Sequence, residues 1–106
     1  MPAKIHGILA AQALGAGADV TIYTVPAARK ATVTANMCNR STATAVRLAL
    51  LNAALSNAHY IEYDTPIGDN GVIERERITL AAGQSILMRA ASASVSGVVW
   101  GVEEDA

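Results

Sequence analysis

The stretch from Asp19 to Arg40, DVTIYTVPAARKATVTANMCNR, constrains the fold of this chain more than any other. Val20 to Val25 and Ala31 to Asn39 are runs of β-branched and small residues, which suit a pleated, half-buried surface. Pro26 stands between them. It carries no backbone N–H and fixes its own φ, so it closes the first run. The spacing predicts two strands folded back on each other through Pro26-Ala27-Ala28-Arg29-Lys30. A lone hairpin is marginal in water, so further strands must cover one of its faces.

Turn signals divide the rest of the chain at strand-like intervals. Ile5 to Leu14 is apolar but interrupted by His6, Gly7 and Gln12, and Gly15-Ala16-Gly17-Ala18 ends it, so residues 1–18 read as an arm or edge strand. Asn39-Arg40-Ser41-Thr42 is a polar turn whose side chains can bond nearby backbone. Ala43 to Leu50 is helix by propensity and strand by alternation. Strand is the better reading because two β-segments flank it, and 52–57 becomes a loop or one helical turn. His59 to Asp64 alternates and stops at Thr65-Pro66, and Asn70-Gly71 signals a tight turn because both residues tolerate positive φ. Val72 to Leu80, Ser85 to Ala90 and Ser94 to Glu103 complete the set. For Ile73 and Ile78 both to face inward, parity must change between them, which calls for a bulge. About seven strands with turns between them predict an all-β domain over 19–106, an antiparallel β-sandwich of jelly-roll-like form.

At 106 residues the chain is long enough for one core without staples. That core is thin, because alanine dominates the 52 % of hydrophobic residues and phenylalanine is absent. Thin cores recruit area from neighbouring copies, so oligomerisation is expected. A net charge of −1 gives no basic patch to neutralise phosphates, which argues against nucleic acid. The N-terminus, Met1 to Gly7, lacks the pattern of a signal peptide, and no run of apolar residues is long enough for a membrane helix. Cys38, the one cysteine, reads as a buried small hydrophobe.

None of the polar groupings has the spacing of a catalytic, cofactor or metal site. His6 and His59 fit no metal motif, and His59 reads as a strand cap. Glu62 and Asp64, two apart on one strand face, are better explained by pairing with Arg47, Arg75 or Arg77 on neighbouring strands than by acid–base work or calcium binding. The tail Glu103-Glu104-Asp105 reads as solvated. Glu74-Arg75-Glu76-Arg77 alternates so that the two acids share one face and the two bases the other. It is either a solvated edge that discourages pairing or a contact between subunits matched in both signs of charge. Trp100 is core or an interface anchor. These five residues, Glu74, Arg75, Glu76, Arg77 and Trp100, are the candidate interface.

The succession YTVPA (Tyr23 to Ala27), CNR (Cys38 to Arg40), VRLAL (Val46 to Leu50), HYIEYDTPI (His59 to Ile67) and a closing GVEE (Gly101 to Glu104) resembles a family of small β-rich structural proteins of tailed bacteriophages. The resemblance spans Asp19 to Glu104. Its motifs are turn and packing motifs, which mark a scaffold rather than an activity, and at Ala28 the family's turn would carry glycine. It implies a virion component in many copies, assembled in the bacterial cytoplasm, with no catalytic residue and no cofactor. The first expectation is a capsid decoration (cement) protein that stabilises the head lattice as an oligomer, expected as a homotrimer, with the major capsid protein or other virion proteins as partners. A tail, baseplate or fibre-associated module, structural or host-glycan-binding, is the alternative, and a small cytoplasmic enzyme a distant third.

Overall fold

The computed structural model describes residues 4–106. It contains eight strands: β1 (Lys4–Ala13), β2 (Val20–Thr24), β3 (Arg29–Asn39), β4 (Thr44–Leu51), β5 (Tyr60–Ile67), β6 (Val72–Ala81), β7 (Ser85–Ala90) and β8 (Val95–Asp105). They form two four-stranded sheets, β1-β8-β3-β6 and β2-β7-β4-β5. The antiparallel pairs β1·β8, β2·β7, β3·β6 and β4·β5 describe one long ribbon whose tip lies between β4 and β5. Rolling that ribbon on itself sets β3 beside β8 and β4 beside β7. The result is the eight-stranded jelly roll.

The expected sandwich is therefore present, with one strand more than the sequence suggested. The added strand is β1. Of the arm or edge strand expected over 1–18, residues 1–3 lie outside the described residues; Lys4–Ala13 is an edge strand of the first sheet, paired with β8 along its length. The Leu14 N–H continues the ladder to the Val95 carbonyl at 2.9 Å.

The expected hairpin between β2 and β3 is not formed. β2 lies in the second sheet and β3 in the first, so the turn after Pro26 carries the chain across the sandwich. A hairpin could pair only the five residues of β2, whereas β3 spans eleven and pairs along its full length with β8. Non-local pairing satisfies more backbone than the local turn would. Val25 instead bonds to the β6–β7 turn, its N–H to the Gln84 carbonyl and its carbonyl to the Gly83 N–H, both at 2.9 Å.

Alternation places Val33, Ala35 and Met37 of β3, Val46 and Leu48 of β4, Ile86 and Met88 of β7 and Val95 and Val99 of β8 in the interior. Burial of each large member contributes roughly 1.5–3 kcal/mol. β4 keeps its strand form despite helix-favouring residues because β5 and β7 flank it on both sides. Of the loop or single helical turn expected over 52–57, the loop is formed, and a 3-10 turn follows at Asn57–His59. The tight turn expected at Asn70-Gly71 is present between β5 and β6, with Asn70 the one of the two at positive φ (55°). At Gly97 the facing sheet leaves no room for a side chain, because a Cβ there would run into Met88 Sδ and Ile22 Cδ1.

Candidate functional site

The charged run lies on β6, which is an edge strand of the first sheet. All four of its residues are exposed. Val33 pairs with Ile78 and Ala35 with Arg75, so Glu76 and Arg77 together oppose the single residue Thr34. That is the bulge required by the parity of Ile73 and Ile78, and Arg77 takes the left-handed conformation it needs (φ 59°). The bulge also removes the expected sharing of faces by the two acids and the two bases. Arg75 is the one turned toward the second sheet, where its guanidinium pairs with Glu62.

Glu62 belongs to β5, the edge of the second sheet that lies beside β6. Its side chain is nearly buried, and Thr65 Oγ1 donates to Oε1 at 2.8 Å. The Arg75–Glu62 pair thus bridges the edges of the two sheets and closes one side of the sandwich. Asp64 does not share a face with Glu62. Val46 pairs with Thr65 and Leu48 with Glu62, so Tyr63 and Asp64 bulge opposite Arg47, and Asp64 takes φ 49°. It accepts from Arg47 Nε at 2.7 Å and Nη2 at 3.3 Å on the outer face of the second sheet. The Arg47 hydrogen bond holds the Asp64 carboxyl below its usual value near 3.8. The pairing expected of these two carboxylates is thus present, with a different arginine for each.

The Arg47 guanidinium also lies 4.1 Å from the centre of the Tyr63 ring, and Tyr60 meets Tyr63 edge to face at 4.9 Å. Tyr63 is 55 % exposed. Asn57, Tyr60 and Tyr63 line an open concavity of about 400 Å³. His59 caps the 3-10 turn rather than a strand: the Ser56 N–H donates to Nδ1 (3.1 Å), leaving Nε2–H for Asn52 Oδ1 (2.9 Å).

Trp100 is not in the core. β8 turns Val95, Gly97, Val99, Gly101 and Glu103 inward and leaves Val98, Trp100 and Val102 half-buried on the outer face of the first sheet. Gly101 has to lack a side chain, as a Cβ there would run into the Thr32 carbonyl oxygen of the neighbouring strand β3. Trp100 pairs across with Thr34 on one side and with Ile8, 72 % exposed, on the other. The same parity places Cys38 half-buried on this outer face, beside Val72 and Ser96, rather than inside. Trp100 and the charged run therefore lie on one sheet with Thr34 of β3 between Trp100 and the bulge at Glu76 and Arg77, while Arg75 is turned away to Glu62.

Two polar clusters escaped the sequence reading. The acidic tail is strand, not solvated coil: Glu103 is buried 3.7 Å from Arg29 Nε, and Arg29 Nη1 donates to Asp105 Oδ1 at 2.7 Å. Tyr23 faces this group, and burial together with the Glu103 carboxylate pushes its phenol up to about 12. Strict alternation from Val95 would have placed Glu103 inward. The second cluster centres on Asn39, which is 1 % exposed. Its Nδ2 donates to the carbonyls of Thr42 (2.8 Å) and Gly68 (3.1 Å), while Oδ1 accepts from the Ser94 hydroxyl (2.7 Å) and the Ser41 N–H (3.2 Å). One amide thus fastens three connections at one end of the roll.

No family model matches the chain, and no curated protein matches it. Among solved structures it is similar to a chain in the acidic stable capsid structure of Helicobacter pylori bacteriophage KHP30, at 14 % identity and a TM-score of 0.54, covering 100 % of this chain and 94 % of that one. The two chains share a fold.

Proposed function

We propose that this chain is a non-enzymatic structural protein of a bacteriophage virion, and within that class a capsid decoration protein that binds the head lattice as an oligomer, with a homotrimer as the expected form. The observation that carries the reading is the end-to-end fold likeness to a chain of a phage capsid structure. The phage-like turn and strand motifs support it independently of that likeness. The proposal gives the exposed polar residues a mechanical role. Glu76 and Arg77 stand on a bulge at a sheet edge, with no ion pair to either among the described residues, where charges of both signs can fix the register of a partner without supplying bulk affinity. Its partners are the major capsid protein or other virion proteins. Quantifying the chain against the major capsid protein in purified particles tests it. Hundreds of copies per particle is the expected result, and washed particles without the chain would end the proposal.

A second reading has one observation in its favour. Tyr63, exposed beside the concavity lined by Asn57 and Tyr60, offers an aromatic surface of the kind that stacks on sugars, as a tail or fibre module recognising a host glycan would require. That reading predicts a handful to tens of copies, and loss of glycan binding on Tyr63→Ala.

A further inference from the structure

We infer that the free edge of β1 is a contact between two copies of this chain, made by antiparallel pairing of β1 with the β1 of a second copy. An edge strand presents a row of N–H and C=O groups to any extended chain, and proteins block such edges with charge, proline, bulges or short strands. Three of the four edges here are blocked. β6 carries its charged run and the bulge at Glu76 and Arg77. β5 carries Pro66, Asp64 and two register shifts. β2 is only five residues long. β1 is ten residues long, has no proline, and bears Lys4 as its one Lys, Arg, Asp or Glu. A single bulge between Ile8 and Ala10 bends it.

The outer face indicates what covers this edge. Ile8 is 72 % exposed, the highest value among the exposed large hydrophobic residues described. It ends a row that runs from Thr34 through Trp100, and every member of that row except Ile8 has a cross-strand neighbour on both sides or faces the bulge of β6. A copy related by a two-fold axis close to Ile8 sets a second Ile8 against the first. The apolar row then runs unbroken across both molecules, each pair of cross-strand side chains adding to the sheet.

Charge favours the same partner and the same direction. Antiparallel pairing holds the two Lys4 ammonium groups roughly a strand length apart, about 3.3 Å per residue, each beside the neutral Gln12 and Ala13 of the other copy. Parallel pairing would bring them together. The β6 edge of a second copy fits less well, because it carries four consecutive charged residues where β1 carries Lys4 alone. The contact is isologous and two-fold, separate from any three-fold one, and buries on the order of 1,000 Å², the lower end for specific interfaces. It holds whether or not the chain belongs to a virion.

Sedimentation equilibrium of the full chain from micromolar to millimolar concentration tests it, with Ile8→Lys and, as a control on the exposed face of β6, Thr79→Lys. The expected result is a species of even multiple of the monomer mass. Ile8→Lys weakens the association at least tenfold with no change in melting temperature, and Thr79→Lys leaves it intact. If Ile8→Lys disturbs folding, Ala11→Lys, also exposed on β1, replaces it, and amide exchange over Lys4–Ala13 is read as a function of concentration; exchange there slows as copies pair. A monomer at every concentration, an oligomer of odd number only, or an oligomer that the β1 substitutions do not weaken would overturn the inference.

Discussion

Asn39 shows how much one side chain can hold in a domain with so few large residues. It is buried, it makes four hydrogen bonds, and its partners come from the β3–β4, β5–β6 and β7–β8 connections. Asn39→Asp is the sharpest test, since it keeps the acceptor and removes both donors to the Thr42 and Gly68 carbonyls. A loss of about 1–3 kcal/mol in a denaturant titration is expected. At Ala28 the effect has the opposite sign. Its φ of 64° is the left-handed conformation for which the resembled family's glycine would be suited, so Ala28→Gly relieves strain that outweighs the added freedom of the unfolded chain, for a gain of about 0.5–1 kcal/mol. Tyr23 makes stability depend on alkaline pH. Its phenol ionises near 10.0 in the unfolded chain and near 12 in the folded one, so the unfolded state gives up the proton first. The stability it contributes is whole below about pH 10 and is lost as pH rises through about 12. Spectrophotometric titration of the phenols should show one late step, and Tyr23→Phe should remove both that step and the corresponding part of the alkaline loss. The polar character of Asn39 and Tyr23 was legible in the sequence. Their burial was not, because it follows from which face of β8 turns inward and from three distant turns meeting at one end of the roll.

The elements most legible in the sequence were those bounded by clear turn residues. β2, β3, β4, β6, β7 and β8 all fall within about two residues of where alternation and turn residues put them. The bulge in β6 was readable from the parity of Ile73 and Ile78. The bulge at Tyr63 and Asp64 was not, as the flanking Ile61 and Ile67 are an even number of residues apart and read as sharing a face, although Ile61 is exposed and Ile67 buried, and so Glu62 and Asp64 were placed together. The β2–β3 pairing failed for another reason: a proline-containing turn signals a change of direction but not whether the chain returns in the same sheet. Because the bulges send Arg75 to Glu62 and leave Arg77 exposed, the two arginines should respond differently to reversal of charge. Arg75→Glu leaves the nearly buried Glu62 facing a like charge and should cost about 1–2 kcal/mol in thermal or chemical unfolding, discounted for the half-exposed guanidinium. Arg77→Glu should leave stability within about 0.5 kcal/mol and change only attachment to a partner. Equal destabilisation by the two substitutions would contradict the assignment of Arg75 as the side closure of the sandwich.

At the scale of the whole molecule, a ribbon rolled into two sheets buries mainly small and branched aliphatic side chains and leaves a set of edges and outer faces to meet other proteins. The fold class could be read from composition and turn spacing. The eighth strand was legible only as a choice between an arm and an edge strand, since β1 carries glycine and polar residues in an apolar run and gains its strand form from β8, far along the chain. The open edge of β1, the Ile8–Trp100 row and the charged bulge of β6 are surfaces suited to attachment, and they are what a lattice-binding protein would use. A reconstruction of the purified particle gives the most direct test. The predicted result is density for this eight-stranded roll, repeated over the outside of the head and seated on the major capsid protein. A head surface without it, in particles from which no copy of the chain can be recovered, would contradict the proposed role.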